Sequence, residues 1–367
     1  MAVAWKNSNF RRENTRLLVA FIVLLVTPIF VLTWILTSIT HFFVILSARL
    51  FRPDLKNPLA VVQANMALEP IHTKPEMNII VYLMLDAPVT LGQVRSTFHD
   101  RILCCANKNG QLVYPELKQR KETYLNYSFW KEDENFDLNN HVRTYDYHGG
   151  ELWLPEKFVT ETNLERVTGG LLAQPWKKGQ SPWELLVIHS YGERGNGTVL
   201  LFRLHHSMGD GFSISKLLQR LGDNDNMKTL EPTFPKLTIT QRCLAGLTLP
   251  FRALYYIAVQ ILENSDTPHS WHLTHREMSR QYNTCFVQPV AVETVKQIKN
   301  KYGVNYNAVL GAVTLAGIRK LMEDGGQEVT PTLGVFVPLP LPSHPGGLVM
   351  HASEKFHYNY TGSLSRN

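Results

Sequence analysis

The chain has 367 residues, enough for one large domain or two ordinary ones, and 44% of them are hydrophobic, ample for a core. Charged residues make up 19%, as when a membrane segment dilutes them, and four cysteines without repeated spacing argue against a disulfide scaffold and against zinc. The net charge of +6 comes without a Lys/Arg block of nucleic-acid type, so no nucleic acid is expected and the excess points to anionic lipid headgroups or an anionic substrate.

Residues 1–16 form a polar, basic tail. Residues 17–50 read as a membrane segment, because from Leu17 to Ala48 the one ionisable side chain is His41. A helix over that stretch would be about 48 Å long, against a hydrocarbon core of about 30 Å. A signal peptide fits less well, since its apolar region is about 7–15 residues and no small-x-small cleavage site follows cleanly. Pro28 either kinks one tilted span or helps bend a re-entrant hairpin. Lys6, Arg11, Arg12 and Arg16 before the segment nearly balance Arg49, Arg52 and Lys56 after it, so both arrangements stay open. The expected location is a membrane, endoplasmic reticulum or plasma membrane.

Residues 51–76, with their prolines, read as a connector. The body over 77–222 opens with a mostly buried strand at 78–85. A helix over 90–103 follows, with Leu91, Val94, Phe98 and Ile102 on one face. A short helix is expected at 163–173. Apolar runs at 183–191 and 198–204, joined by a glycine-rich loop at 192–197, read as a hairpin. Residues 223–283 read as linker plus an apolar helix at 244–262, either a core or bridging helix or one lying on a bilayer. A second, partial unit spans 284–367. It has helices at 292–302 and 307–321, the latter with Leu310, Val313, Gly317 and Leu321 on one face, and a strand at 335–338.

The heptad His205-His206-Ser207-Met208-Gly209-Asp210-Gly211 closes the second hairpin strand and opens a helix with Ile214, Leu217, Leu218 and Leu221 at i, i+3, i+4, i+7. An imidazole titrates near neutral pH, so one held at a strand end can take a proton from a hydroxyl. Gly209 and Gly211 would let the backbone turn sharply behind it. His205 alone reads as a structural histidine. A metal reading needs further close ligands, which Cys104, Cys105, Cys243 and Cys285 do not supply, so no metal is expected.

Four further strings carry a resemblance. Trp130 precedes Phe136-Asp137-Leu138-Asn139-Asn140-His141-Val142, and Ser181-Pro182-Trp183-Glu184-Leu185 precedes the heptad. Asn307-Ala308-Val309-Leu310 follows it. In this order they make the chain resemble the wax ester synthase/diacylglycerol acyltransferase family, from about residue 70 to about residue 340. That family belongs to the HHxxxDG, chloramphenicol acetyltransferase-like acyltransferases. The resemblance implies an α/β fold of two halves, the second incomplete here, preceded by a transmembrane or re-entrant helix. It implies a membrane-anchored O-acyltransferase that moves a fatty acyl group from acyl-CoA, a co-substrate, to a long-chain alcohol or diacylglycerol. Membrane lipid is the other expected partner, and no cofactor is expected. By the same analogy His206 is the general base beside His205, Asn307 is the candidate oxyanion donor, and Asp210, paired with an arginine, and Gly211 fix the turn. Pro182, Trp183 and Glu184 support the core beneath the site. A thiolate leaves readily, so no covalent intermediate is needed. Ala308 departs from the family's aspartate, and the family pattern runs on for a hundred or more residues. The alternative expectation is therefore a truncated, non-catalytic or regulatory lipid-binding form.

Overall fold

The computed structural model describes residues 2–222, 238–263, 279, 281–329, 332–335, 347–348 and 356–359. The chain opens with α1 (Ala2–Phe51), a continuous helix that runs through Pro28. Hydroxyls along it turn back onto its own carbonyls: Thr27 Oγ1 donates to Val23 O at 2.7 Å and Ser38 Oγ to Trp34 O at 2.7 Å. An apolar medium offers such groups no water, so this internal pairing suits lipid. The part Asn14–Phe51 is long and apolar enough to cross a membrane by length and composition.

The stretch expected to be a connector is structured. It carries β1 (Leu55–Pro58) and α2 (Val61–Met66). Then come β2 (Asn78–Leu85) and α3 (Leu91–Phe98), which begins at a Thr90–Gln93 capping box and continues into a π turn, His99–Leu103. Next are β3 (Gln119–Tyr124) and β4 (Tyr127–Glu132), joined at Leu125 and Asn126, both at positive φ (45° and 67°). That two-residue turn matches the twist of a hairpin. The first half ends with α4 (Leu138–His141), β5 (Val142–Thr144), α5 (Glu161–Leu172), β6 (Trp183–Tyr191), β7 (Gly197–His205) and α6 (Gly211–Leu221).

Two sheets form. One has the order β2-β7-β6-β5, with β7 antiparallel to both neighbours and β5 parallel to β6; the other is β1-β4-β3. The expected hairpin is thus present, and the histidine-bearing strand has a neighbour on each edge. Every residue of β7 is buried, because both faces are also covered. Leu200, Phe202 and Leu204 pack with Phe98, Trp183, Ile214 and Leu217, while Val199 and Leu201 pack with Leu164, Leu171, Leu186 and Ile188. A continuous apolar run, rather than alternation, is what such double burial requires.

Beyond α6 the expected linker falls largely outside the described residues. The helix α7 (Ile239–Glu263) packs along α1, where Val19 and Val23 meet Phe251, Leu254, Tyr255, Ala258 and Val259. The second unit expected from 284 begins bonded to the first half: Thr284 Oγ1 donates to Glu165 O, and Phe286 N to Glu165 Oε1. The helices α8 (Val292–Tyr302) and α9 (Tyr306–Asp324) follow, then the antiparallel pair β8 (Thr332–Val335) and β9 (Phe356–Asn359). Of the strand expected at 335–338, only Val335 lies in the described residues. The apolar face expected for α9 is a correction. Leu310, Val313 and Leu321 are exposed, and Ala308, Val309, Leu315 and Met322 are buried. Periodicity named one apolar stripe, and the buried residues lie on another.

Candidate active site

The heptad sits where β7 leaves the sheet. The backbone of His205 is held by Pro182 O and that of His206 by Met77 O, at 2.9 and 2.8 Å. A single 3-10 turn, His206–Met208, then leads through Gly209 to α6. Asp210 caps that helix, its Oδ1 accepting the Ser213 amide at 2.8 Å. This satisfies an otherwise orphaned donor at the helix start and fixes the turn.

The expectation for the glycines is corrected. Gly209 has φ 175°, an extended conformation open to any residue. A side chain there would instead crowd Leu348 Cδ2, 3.2 Å from the added carbon. At Gly211 an added carbon meets nothing within 4 Å. Room beside Leu348, rather than backbone freedom, is what Gly209 supplies.

The two histidines differ sharply. His205 is fully buried, and its ring has partners at both nitrogens. Nδ1 accepts from Ser207 Oγ at 2.7 Å and from Ser207 N at 3.2 Å, while Nε2 donates to Glu69 Oε1 at 2.5 Å. Burial depresses its pKa below the usual imidazole value, against the raising effect of Glu69. His205 is therefore a neutral, locked element of the turn. His206 is half-buried, and its Nδ1 is buried without a hydrogen-bond partner among the described residues. Its hydrogen-bonding capacity at that nitrogen is therefore unused among the described residues.

Glu69 and Gln63 were not singled out from sequence. Glu69 Oε1 also accepts the amides of Glu76 and Met77, at 3.1 and 3.3 Å, so it ties the entry to β2 to His205. Gln63 on α2 donates to Ser207 O and Leu348 O. Gln63 carried no clear signal, since its short helix holds a second amide, Asn65. Glu69 had none, as it lies 136 residues from its histidine.

A cavity of about 370 Å³ opens beside the turn. Glu69, Lys121, Trp130, Pro182 and Ser207 are among its walls. Pro182 thus reaches the cavity, whereas Trp183 and Glu184 are buried in the core. Trp183 stacks between Phe98 and His141 and donates Nε1–H to Leu117 O at 2.8 Å. His141 donates from Nδ1 to Trp183 O, and burial lowers its pKa. Glu184 bonds Arg143 and the fully buried Arg203, both at 2.8 Å, and Arg203 stacks over Trp176. His141 and Val142, from the first string, and Pro182–Leu185 are therefore joined in one buried support beside β7.

Asn307 stands exposed in the first turn of α9, and its side chain makes no hydrogen bond among the described residues. The helix is capped two residues earlier, by Asn305 Oδ1 on Ala308 N. The structure thus brings together His205, His206, Asp210 and Pro182, and joins Asn307 to them by no described bond. Among the described residues no three His, Cys, Asp or Glu side chains gather as metal ligands.

Fold and site define an α/β domain with a histidine pair where a central strand leaves its sheet and a cavity beside the same turn, walled by Glu69 and Ser207. A family model for the wax ester synthase/diacylglycerol acyltransferase catalytic domain matches residues 68–254, half of the chain, and the chain belongs to that family. Two similar curated proteins come from Mycobacterium tuberculosis. A putative diacylglycerol O-acyltransferase of strain CDC 1551 is 23% identical over 262 residues, 63% of this chain and 48% of that protein. A probable diacylglycerol O-acyltransferase of strain H37Rv is 25% identical over 233 residues, 57% and 47%. The chain spans about half the length of these relatives. Its fold is shared with the wax ester synthase/diacylglycerol acyltransferase from Marinobacter aquaeolei VT8, with a TM-score of 0.50 and 17% identity over 77% of this chain and 65% of that one.

Proposed function

We propose that this chain is the His-bearing part of a membrane-associated O-acyltransferase that esterifies a long-chain alcohol or diacylglycerol with a fatty acyl group from acyl-CoA. The observation that carries the reading is the contrast within the histidine pair: His205 is locked at both nitrogens and His206 keeps an unpaired one. In the reaction His206 takes the acceptor's hydroxyl proton as its oxygen attacks the thioester carbonyl. The C–S bond breaks, and the proton goes on to the departing CoA sulfur. The cavity wall joins apolar surface from Ile71, Trp130 and Pro182 to the cations Arg120 and Lys121. That combination suits amphiphiles with an anionic end. The apolar α1 supports membrane association, which would bring the site to lipids. Asn307 as oxyanion donor remains part of the proposal by resemblance to the family motif.

A second reading has one observation in its favour. With Ala308 in place of the family aspartate and Asn307 exposed without a bond, this half could serve a non-catalytic, lipid-binding role. Membranes carrying the 367-residue chain, supplied with labelled palmitoyl-CoA and either hexadecanol or diacylglycerol, separate the two. Labelled wax ester or triacylglycerol supports the enzyme. Lipid binding with no product from a folded chain supports the second reading.

A further inference from the structure

The chain's connectivity restricts how α1 can meet a bilayer. Near its C-terminal end α1 is seated on the body: Val44 and Ala48 pack with Phe129, Tyr124 and Tyr127. There His41 also stacks on Tyr127 at 5.2 Å, and Ser47 Oγ pairs with Tyr124 Oη at 2.8 Å. Further toward its N-terminus, α1 packs against α7 through Val19 and Val23. About 20 residues of helix, roughly 30 Å, separate these two contacts.

Both flanks of α7 return to the body. Before it, α6 ends at Leu221 in the main core; after it, Thr284 and Phe286 are bonded to Glu165 on α5, and Phe286 sits on Tyr82. The intervening sequences carry charges, Asp223, Asp225 and Lys228 on one side and Arg276, Glu277 and Arg280 on the other. Neither sequence suits passage through hydrocarbon. So α7 lies on the body's side of a bilayer, and the Val19–Val23 turn of α1 lies there with it.

Resting on the membrane-associated reading above, we infer that α1 does not cross the bilayer. It forms with α7 a two-helix raft immersed in the leaflet that faces the body, whose occupant is an anionic phospholipid monolayer. Both helices also carry exposed apolar side chains, Leu24, Phe30 and Trp34 on α1 and Leu247, Ile257 and Ile261 on α7. Arg242 and Arg252 supply positive charge beside them, and Arg252 lies over the Tyr256 ring. Aromatic and basic groups of this kind settle at the headgroup boundary.

The test uses the full chain with one epitope tag at its N-terminus and a second in the exposed 192–196 loop, incorporated into sealed vesicles of phosphatidylcholine and phosphatidylserine. External protease is expected to remove both tags or neither, and the vesicles are expected to float with the chain. Removing phosphatidylserine is expected to weaken flotation by roughly tenfold. A floating chain with one tag cleaved and the other protected overturns the raft and leaves membrane association standing. A folded chain that does not float overturns both. A Leu247→Glu, Ile257→Glu double variant should lose flotation by at least about tenfold while α1 is intact; undiminished flotation contradicts the part assigned to α7.

Discussion

The His205 ring is held between an acceptor and a donor, Glu69 at Nε2 and Ser207 at Nδ1. Replacing Glu69 with Ala leaves a buried N–H without an acceptor, a cost of about 1–3 kcal/mol. Glu69→Ala is therefore expected to lower the urea midpoint and, through a displaced His206, to lower acyl transfer on the order of tenfold or more. Glu69→Gln keeps a carbonyl oxygen and should recover most of the stability; equal losses in both variants would contradict the bond's role. Protonation adds a second check. Burial pushes the Glu116 carboxyl up to about 7 from 4.5, with its Oε2 buried and unpaired. Its pKa is raised by folding, so its contribution is fully present below 4.5 and is lost as pH rises through about 7, a swing on the order of 3 kcal/mol. Glu116→Gln should flatten that decline in unfolding free energy, and an unchanged slope across the window would count against it. His141 and His205, both depressed by burial, act in the opposite sense: their contribution is present above 6.5 and is lost as pH falls below it. The histidine pair was legible in the sequence because adjacent residues at the end of an apolar run are delivered together. Glu69 was not, because only the fold brings it to His205.

At the scale of elements, apolar runs predicted β6 and β7 closely, since strands with both faces covered must be apolar throughout; β2 is also present, but as a half-buried edge strand. The stretch 51–76 misled because prolines suggest a connector, yet Pro58 ends an edge strand, β1, whose outer side needs no donor. Helix α9 misled differently: the named stripe of Leu310, Val313 and Leu321 is exposed, and Ala308, Val309, Leu315 and Met322 are buried. The docking of residues 282–286 on α5 was invisible to periodicity and rests on close approach. An added carbon at Gly169 would run into Tyr282 O. In an open helix Gly→Ala would stabilise by roughly 0.5–1 kcal/mol. Here Gly169→Ala is expected to lift the segment off α5, so that the Phe286 amide, bonded to Glu165, exchanges with solvent at least about tenfold faster. Exchange as slow as in the parent chain would show that the contact yields without cost.

Across the whole molecule, two sheets, α3, α5 and α6 build a rigid seat for one turn, and α1 and α7 give that seat an apolar flank. The heptad and its supporting strings made the family readable before any coordinates. The course of α1 relative to a bilayer was not readable, because it depends on which helix packs against Val19 and Val23. The central claim is that His206 is the base of an acyl transfer performed on this seat. It is tested most directly by the rate of labelled ester formation in membranes bearing the parent chain or His206→Ala at matched, folded amounts. The parent chain is expected to form product and the variant to fall by roughly 100-fold or more, in the range set by loss of a positioned base. Product formed by the variant at the parent rate would contradict the assignment.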